Sequence, residues 1–117
     1  RARIIMVITD KIWEQLFPTI EKSQEVITRE GLEKGVENNT YQLFKDNDCS
    51  VITASFAKTL RIGIAGGNLD SLVKIEEKVE KYAKKRQYDN IEIVGRAGWE
   101  KVLNGYKKQK VILRKEI

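Results

Sequence analysis

A glycine pair, Gly66-Gly67, divides a short apolar strand from a long amphipathic helix, and a second apolar strand follows the helix. In residues 59–64, Leu60, Ile62 and Ile64 alternate with Thr59 and Arg61, so the three apolar side chains are expected on one face of a strand. The two glycines end that strand, and Asn68 or Asp70 is placed to cap the helix after them. Leu69, Leu72, Val73, Ile75, Val79, Tyr82 and Ala83 form an apolar stripe at helical spacing. Asp70 in the first turn and Lys84, Lys85 and Arg86 at the end oppose the helix dipole. Glu77–Lys81 and Glu80–Lys84 are expected to add weak i,i+4 support. Residues 91–94 read as a short buried strand. A strand–helix–strand unit of this length favours two parallel strands joined by a right-handed crossover. A helix start opened by small residues is also a place where a phosphate can sit.

The chain of 117 residues is expected to form one domain over residues 1–117. Met6 is a candidate natural start, with residues 1–5 then a non-native addition; otherwise residues 4–8 are expected to form a short edge strand. No apolar run approaches the length of a membrane span, and residues 4–8 are too short for the core of a signal peptide. Cys49 is the single cysteine, so no disulfide forms within the chain and a reducing cytoplasm is the expected setting. The sequence has no histidine, which removes the commonest general base at neutral pH and the commonest metal ligand. No metal site is therefore expected. A catalytic thiol needs a base beside it, so Cys49 reads as structural.

Charge is uneven along the chain. Residues 1–58 carry 8 basic and 9 acidic side chains, whereas residues 59–117 carry 14 basic and 8 acidic ones. The second half thus supplies the whole positive excess. It concentrates at the end of the long helix and in Lys107, Lys108, Lys110, Arg114 and Lys115, which are candidates for binding a polyanion such as nucleic acid. A solvated face that keeps the protein soluble is the other reading of those residues.

Before the central unit, Asp10 is placed to cap a helix through about residue 27, with Trp13, Leu16, Phe17, Ile20 and Ile27 near helical spacing and Pro18 expected to kink or restart it. Trp13 at this spacing reads as core. Thr28 caps a short helix over residues 29–37 that turns Leu32 and Val36 inward and stops at Asn38-Asn39. Residues 41–45 form a strand, Asp46-Asn47-Asp48 a hairpin turn, and residues 49–56 its partner, with Ala57-Lys58 leading into the next strand. Residues 41–64 therefore read as a three-stranded antiparallel meander. After the central unit, Trp99, Val102, Leu103 and Tyr106 mark a two-turn helix ending at Asn104-Gly105, and residues 108–115 a last strand. Arg96 lies between a strand and a helix, where ligand-facing and capping residues are both common.

The order helix, helix, three antiparallel strands, long helix, strand, short helix, strand resembles the GCN5-related N-acetyltransferase (GNAT) fold. It is most similar to small phage-encoded proteins of that fold in three pieces. These are Tyr41-Gln42-Leu43-Phe44, then Arg61-Ile62-Gly63-Ile64-Ala65-Gly66-Gly67 with Leu69-Asp70, then Ile91-Glu92-Ile93-Val94-Gly95-Arg96 with Gly98-Trp99, Val102-Leu103 and Gly105-Tyr106. The resemblance covers about residues 10–117. It implies an α/β (α+β) three-layer domain whose mixed sheet joins an N-terminal antiparallel meander to a parallel strand pair bridged by the long helix.

That family binds the acetyl-CoA pyrophosphate through backbone N–H groups of the loop before its main helix, and its fourth and fifth strands splay around the pantetheine arm. The resemblance places the cofactor contacts at Ile64, Ala65, Gly66, Gly67, Asn68 and Leu69, and implies that Gly67→Asp abolishes acetyl-CoA binding with the fold intact. This sequence departs from the family in three ways. The turn of residues 65–70 holds no basic residue and carries Asp70. The position of the usual general-acid tyrosine falls on Lys101. The strand that usually supplies a general base offers Thr59 and Arg61, leaving Glu92 on the next strand as the nearest candidate carboxylate. The resemblance thus implies either an acetyl-CoA-dependent N-acyltransferase acting on an amine acceptor, or a phage accessory or virion-associated protein that keeps the fold without the chemistry and meets a phage or host protein. Either would act in the cytoplasm of an infected bacterium or in the virion, with no membrane partner.

Overall fold

The structure is a computed structural model that describes residues 8–23, 26–93, 105, 106 and 115. It contains three helices and four strands among those residues: α1 (Asp10–Ser23), α2 (Arg29–Glu37), β1 (Tyr41–Lys45), β2 (Cys49–Phe56), β3 (Thr59–Gly67), α3 (Leu69–Lys85) and β4 (Asn90–Ile93). The strands form one sheet in the order β1-β2-β3-β4. The β1–β2 and β2–β3 pairs are antiparallel, and β3–β4 is parallel from Thr59↔Asn90 to Ile62↔Ile93. The fold is therefore mixed α/β, with the expected meander and the expected parallel pair. Residues 1–7, the end of the last expected strand pair at Val94, Arg96, the helix around Trp99 and the strand at 108–115 lie outside the described residues, apart from Tyr106 and Lys115.

Local chemistry explains where the elements begin and end. Thr28 accepts a hydrogen bond from the Gly31 N–H and so satisfies a donor that the first turn of α2 leaves open. Thr28→Ala is expected to cost about 1 kcal/mol in urea denaturation. Asn39 closes α2 in the left-handed region at φ 65°. Asp46 Oδ1 accepts from the Asp48 and Cys49 N–H groups at 2.9 and 3.1 Å, which fixes the hairpin turn between β1 and β2.

Three details depart from the sequence reading. The cap of α1 is Thr9, whose Oγ1 accepts from the Ile12 N–H at 3.3 Å; Asp10 instead pairs with Arg29 at 2.7 Å. α1 continues through Pro18 to Ser23 and does not reach Ile27. Proline removes one N–H, and the carbonyl it leaves open belongs to Glu14, an exposed residue. Ile27 still packs beside the helices, from the segment before α2. Neither Glu77–Lys81 nor Glu80–Lys84 closes to an ion pair among the described residues.

The core lies on both faces of the sheet. On one face Leu72, Ile75, Val79 and Ala83 of α3 meet Cys49, Val51, Leu60 and Ile62. On the other, Ile8, Ile12, Leu16 and Ile20 of the N-terminal segment and α1, with Leu32 of α2, cover Ile52, Leu43 and Ile64. Ile64 is thus opposite Leu60 and Ile62, contrary to the simple alternation. The cause is a bulge: Thr53 pairs with Ile62 and Ile52 with Ile64, so Gly63 is an extra residue in β3. One extra residue inverts the facing of everything after it. Val73, placed on the apolar stripe by spacing, is 37% exposed at the margin of that stripe.

Candidate functional site

The residues that the family resemblance assigns to a cofactor converge where β3 enters α3. β3 extends to Gly67, and its last two residues pair with the partner strand as Ser50↔Gly66 and Cys49↔Gly67. They form part of the sheet and no open loop. A Cβ on Gly66 would lie 1.9 Å from the Gln15 carbonyl oxygen, so the glycine is what lets the α1 backbone approach the sheet. A Cβ on Gly67 would lie 2.1 Å from the Asp48 carbonyl oxygen, and Gly67 has φ +111°. Gly67→Asp therefore disturbs the packing of the hairpin tip as well as any ligand contact, and the sequence expectation that it leaves the fold intact does not stand.

The backbone donors at this point are largely engaged. The Asn68 N–H donates to the Asp48 carbonyl at 2.7 Å, and the Ser71 N–H to the Asn68 carbonyl at 3.1 Å. Asn68, the cap of α3, accepts the Asp70 N–H on its side chain at 2.8 Å. A helix start binds phosphate through open N–H groups and positive dipole. Here the hairpin tip takes the Asn68 N–H, the cap residue takes those of Asp70 and Ser71, and Asp48 and Asp70 are exposed carboxylates nearby in the chain path. Like charge beside a pyrophosphate is unfavourable. Ile64, Ala65, Gly66, Gly67 and Asn68 are brought together as a packed junction and not as an open loop.

Glu92 is also occupied. Its Oε1 accepts from Arg61 Nε and Nη2, both at 2.6 Å, and Arg61 lies over the Phe56 ring at 4.2 Å. Arg61↔Glu92 is a register pair across the parallel strands, so the sheet itself sets this contact.

Cys49 is buried against α3, as its structural reading requires. Burial, with Asp46 adding to it, pushes the Cys49 thiol up to about 11 from 9.0. The unfolded chain ionises at the lower value and the folded one at the higher. The unfolded state therefore holds fewer protons between about pH 9 and 11, and stability falls as pH rises through that window. A thiol-specific reagent at pH 8 is expected to label Cys49 only on unfolding, on the time scale of denaturation. Labelling as fast as a free cysteine contradicts this burial.

Tyr106 donates its hydroxyl to Glu76 Oε2 at 2.8 Å, which brings the Gly105-Tyr106 piece back onto α3. Burial first, then the Glu76 hydrogen bond and charge, raises the phenol well above its ordinary range. This contact was not visible in the sequence, since nothing in the spacing of Glu76 and Tyr106 links them. Of the basic candidates near the C-terminus, Lys115 is exposed, and Lys107, Lys108, Lys110 and Arg114 lie outside the described residues. Leu69 opens α3.

Among the described residues, no group of three or more His, Cys, Asp or Glu is arranged to hold a metal ion. No described helix is long and apolar enough to cross a membrane. The chain matches no family model, no curated protein and no solved structure.

Proposed function

We propose that this chain is a GNAT-like domain of phage type that serves as a non-catalytic interaction module. Its architecture supports the GNAT-like part: an antiparallel meander enters a long helix through a glycine pair, and the next strand returns parallel to the last of the meander. The bulge at Gly63 adds to this. It bends β3 just past Ile62, the last residue paired with β4 among the described residues, which is where a cofactor arm enters in that fold. The observation that carries the loss of chemistry is the closed start of α3, where Asn68, Asp70 and Ser71 have committed their N–H groups. With Glu92 held by Arg61, no free carboxylate stands at the candidate base position. A phage or host protein is the partner this reading implies.

Thermal melting in the presence of acetyl-CoA tests it. A ligand present at about 100 times its Kd stabilises the folded state by about 2.7 kcal/mol, a shift of many degrees in a domain of this size. The expected result is an unchanged melting temperature at millimolar acetyl-CoA. A clear rise would restore the acyltransferase reading.

A further inference from the structure

Most charges of α3 are sorted by flank, apart from Lys84, which falls among the glutamates, and Asp70, which falls beside Lys81. At about 100° per residue, Lys74, Lys78, Lys81 and Lys85 fall within an arc of about 60°. Glu76, Glu77 and Glu80 lie together on the other side of the helix. Two contacts show which flank faces which part of the sheet. Lys78 Nζ donates to the Lys45 carbonyl at the end of β1, and Tyr106 reaches Glu76 on the opposite flank. The lysine row therefore runs beside β1, an edge of the described sheet. All four lysines are exposed, and none forms an ion pair among the described residues.

Aromatic rings border the same row. Phe44 of β1 meets Tyr82 edge-on at 5.5 Å, and Tyr82 stacks with Tyr88 at 6.5 Å. Arg86 lies over the Tyr82 ring at 5.2 Å. All three rings are half-buried, so each keeps part of its surface in water. Ser55 holds the Tyr88 hydroxyl by a hydrogen bond.

We infer that this flank binds single-stranded nucleic acid. A row of cations spanning about 16 Å along a helix follows a phosphate backbone, and the water-facing parts of Phe44 and Tyr88 beside it offer surface on which a base stacks, Tyr82 being covered by Tyr88 and Arg86. An acidic peptide would use the lysines but has no need of the rings. This assignment is independent of the reading of the α3 start, and it involves none of the residues assigned there.

The test is fluorescence anisotropy of a labelled oligothymidylate with the full chain, from 50 to 200 mM salt. Four phosphate contacts on a single strand give a slope of log K against log salt of about −3, or a roughly fifty-fold loss of affinity across that range. The combined variant Lys74→Gln, Lys78→Gln, Lys81→Gln and Lys85→Gln is expected to lose that part of the slope and to bind more than about tenfold more weakly at 50 mM salt. Its helical circular dichroism and melting curve are expected to match the parent. Lys107→Gln, Lys108→Gln and Lys110→Gln together are expected to leave the contribution of the α3 row in place. The proposal is overturned if the parent does not bind, if the α3 variant binds as the parent does, or if the loss follows the C-terminal variant alone. Equal affinity for a duplex of the same sequence, or equal displacement by polyglutamate, also overturns it.

Discussion

Gly67→Ala is expected to lower the unfolding free energy by about 2–4 kcal/mol, because it combines a strained backbone with an overlap that has no soft side. Gly67 sits at φ +111°, a conformation that L side chains rarely adopt. The new methyl would lie 2.1 Å from the Asp48 carbonyl oxygen and 2.8 Å from Cys49 Cα, both backbone atoms. Backbone moves only with the hairpin, and the hairpin is pinned by the Asn68 N–H bond to that same carbonyl and by Gln15 Nε2 donating to the Asn47 carbonyl at 3.3 Å. Gly63 is the internal control. A Cβ there meets nothing within 4 Å, so Gly63→Ala is expected to change stability by less than about 1 kcal/mol. Urea denaturation of the two variants decides the matter. Equal midpoints would mean that the hairpin tip does not press on the α3 start.

Ile75→Ala is the second large effect, about 2–5 kcal/mol, from lost burial plus the cavity left behind. Ile75 is fully buried at the centre of the α3 stripe, against the face of the sheet that carries Val51, Leu60 and Ile62. Its neighbours belong to a helix and a sheet anchored at both ends, so they cannot collapse far into the space. Val73→Ala, on the exposed margin of the same helix, is expected to fall within about 0.5 kcal/mol of the parent. The ratio of the two effects reports directly on which face of α3 is buried. Similar losses at both positions would place the helix in a different rotation.

The local elements were legible because their signals are local. Thr28, the Asp46-Asn47-Asp48 turn and the glycine pair each act within a few residues, and the bounds of α2, β1 and β2 follow from them. The bulge at Gly63 was not legible. A glycine inside an alternating run looks like a strand residue, and only the pairing with β2 reveals that one position has been skipped. That single shift placed Ile64 with α1 in place of α3. The cap of α1 was misplaced by one residue because Thr9 and Asp10 are both good caps, and Arg29 drew Asp10 away from the helix start.

The candidate site was half legible. Its residues were brought together as expected, since a strand–glycine–helix junction fixes them in sequence. Their engagement was not visible, because the groups that occupy them, Asp48, Gln15 and Arg61, lie far away along the chain. The lysine row of α3 was hidden for a related reason: composition showed the charge, but only the contacts of Lys78 and Tyr82 show which flank faces the sheet edge and which rings lie there.

Titration calorimetry of acetyl-CoA into the full chain tests the central claim most directly, with the α3 lysine variant run alongside to remove phosphate binding at that flank. A closed helix start predicts no saturable heat in either protein at millimolar ligand. One-to-one binding in the micromolar range that persists in the lysine variant would contradict the account, because it requires the start of α3 to open to a pyrophosphate.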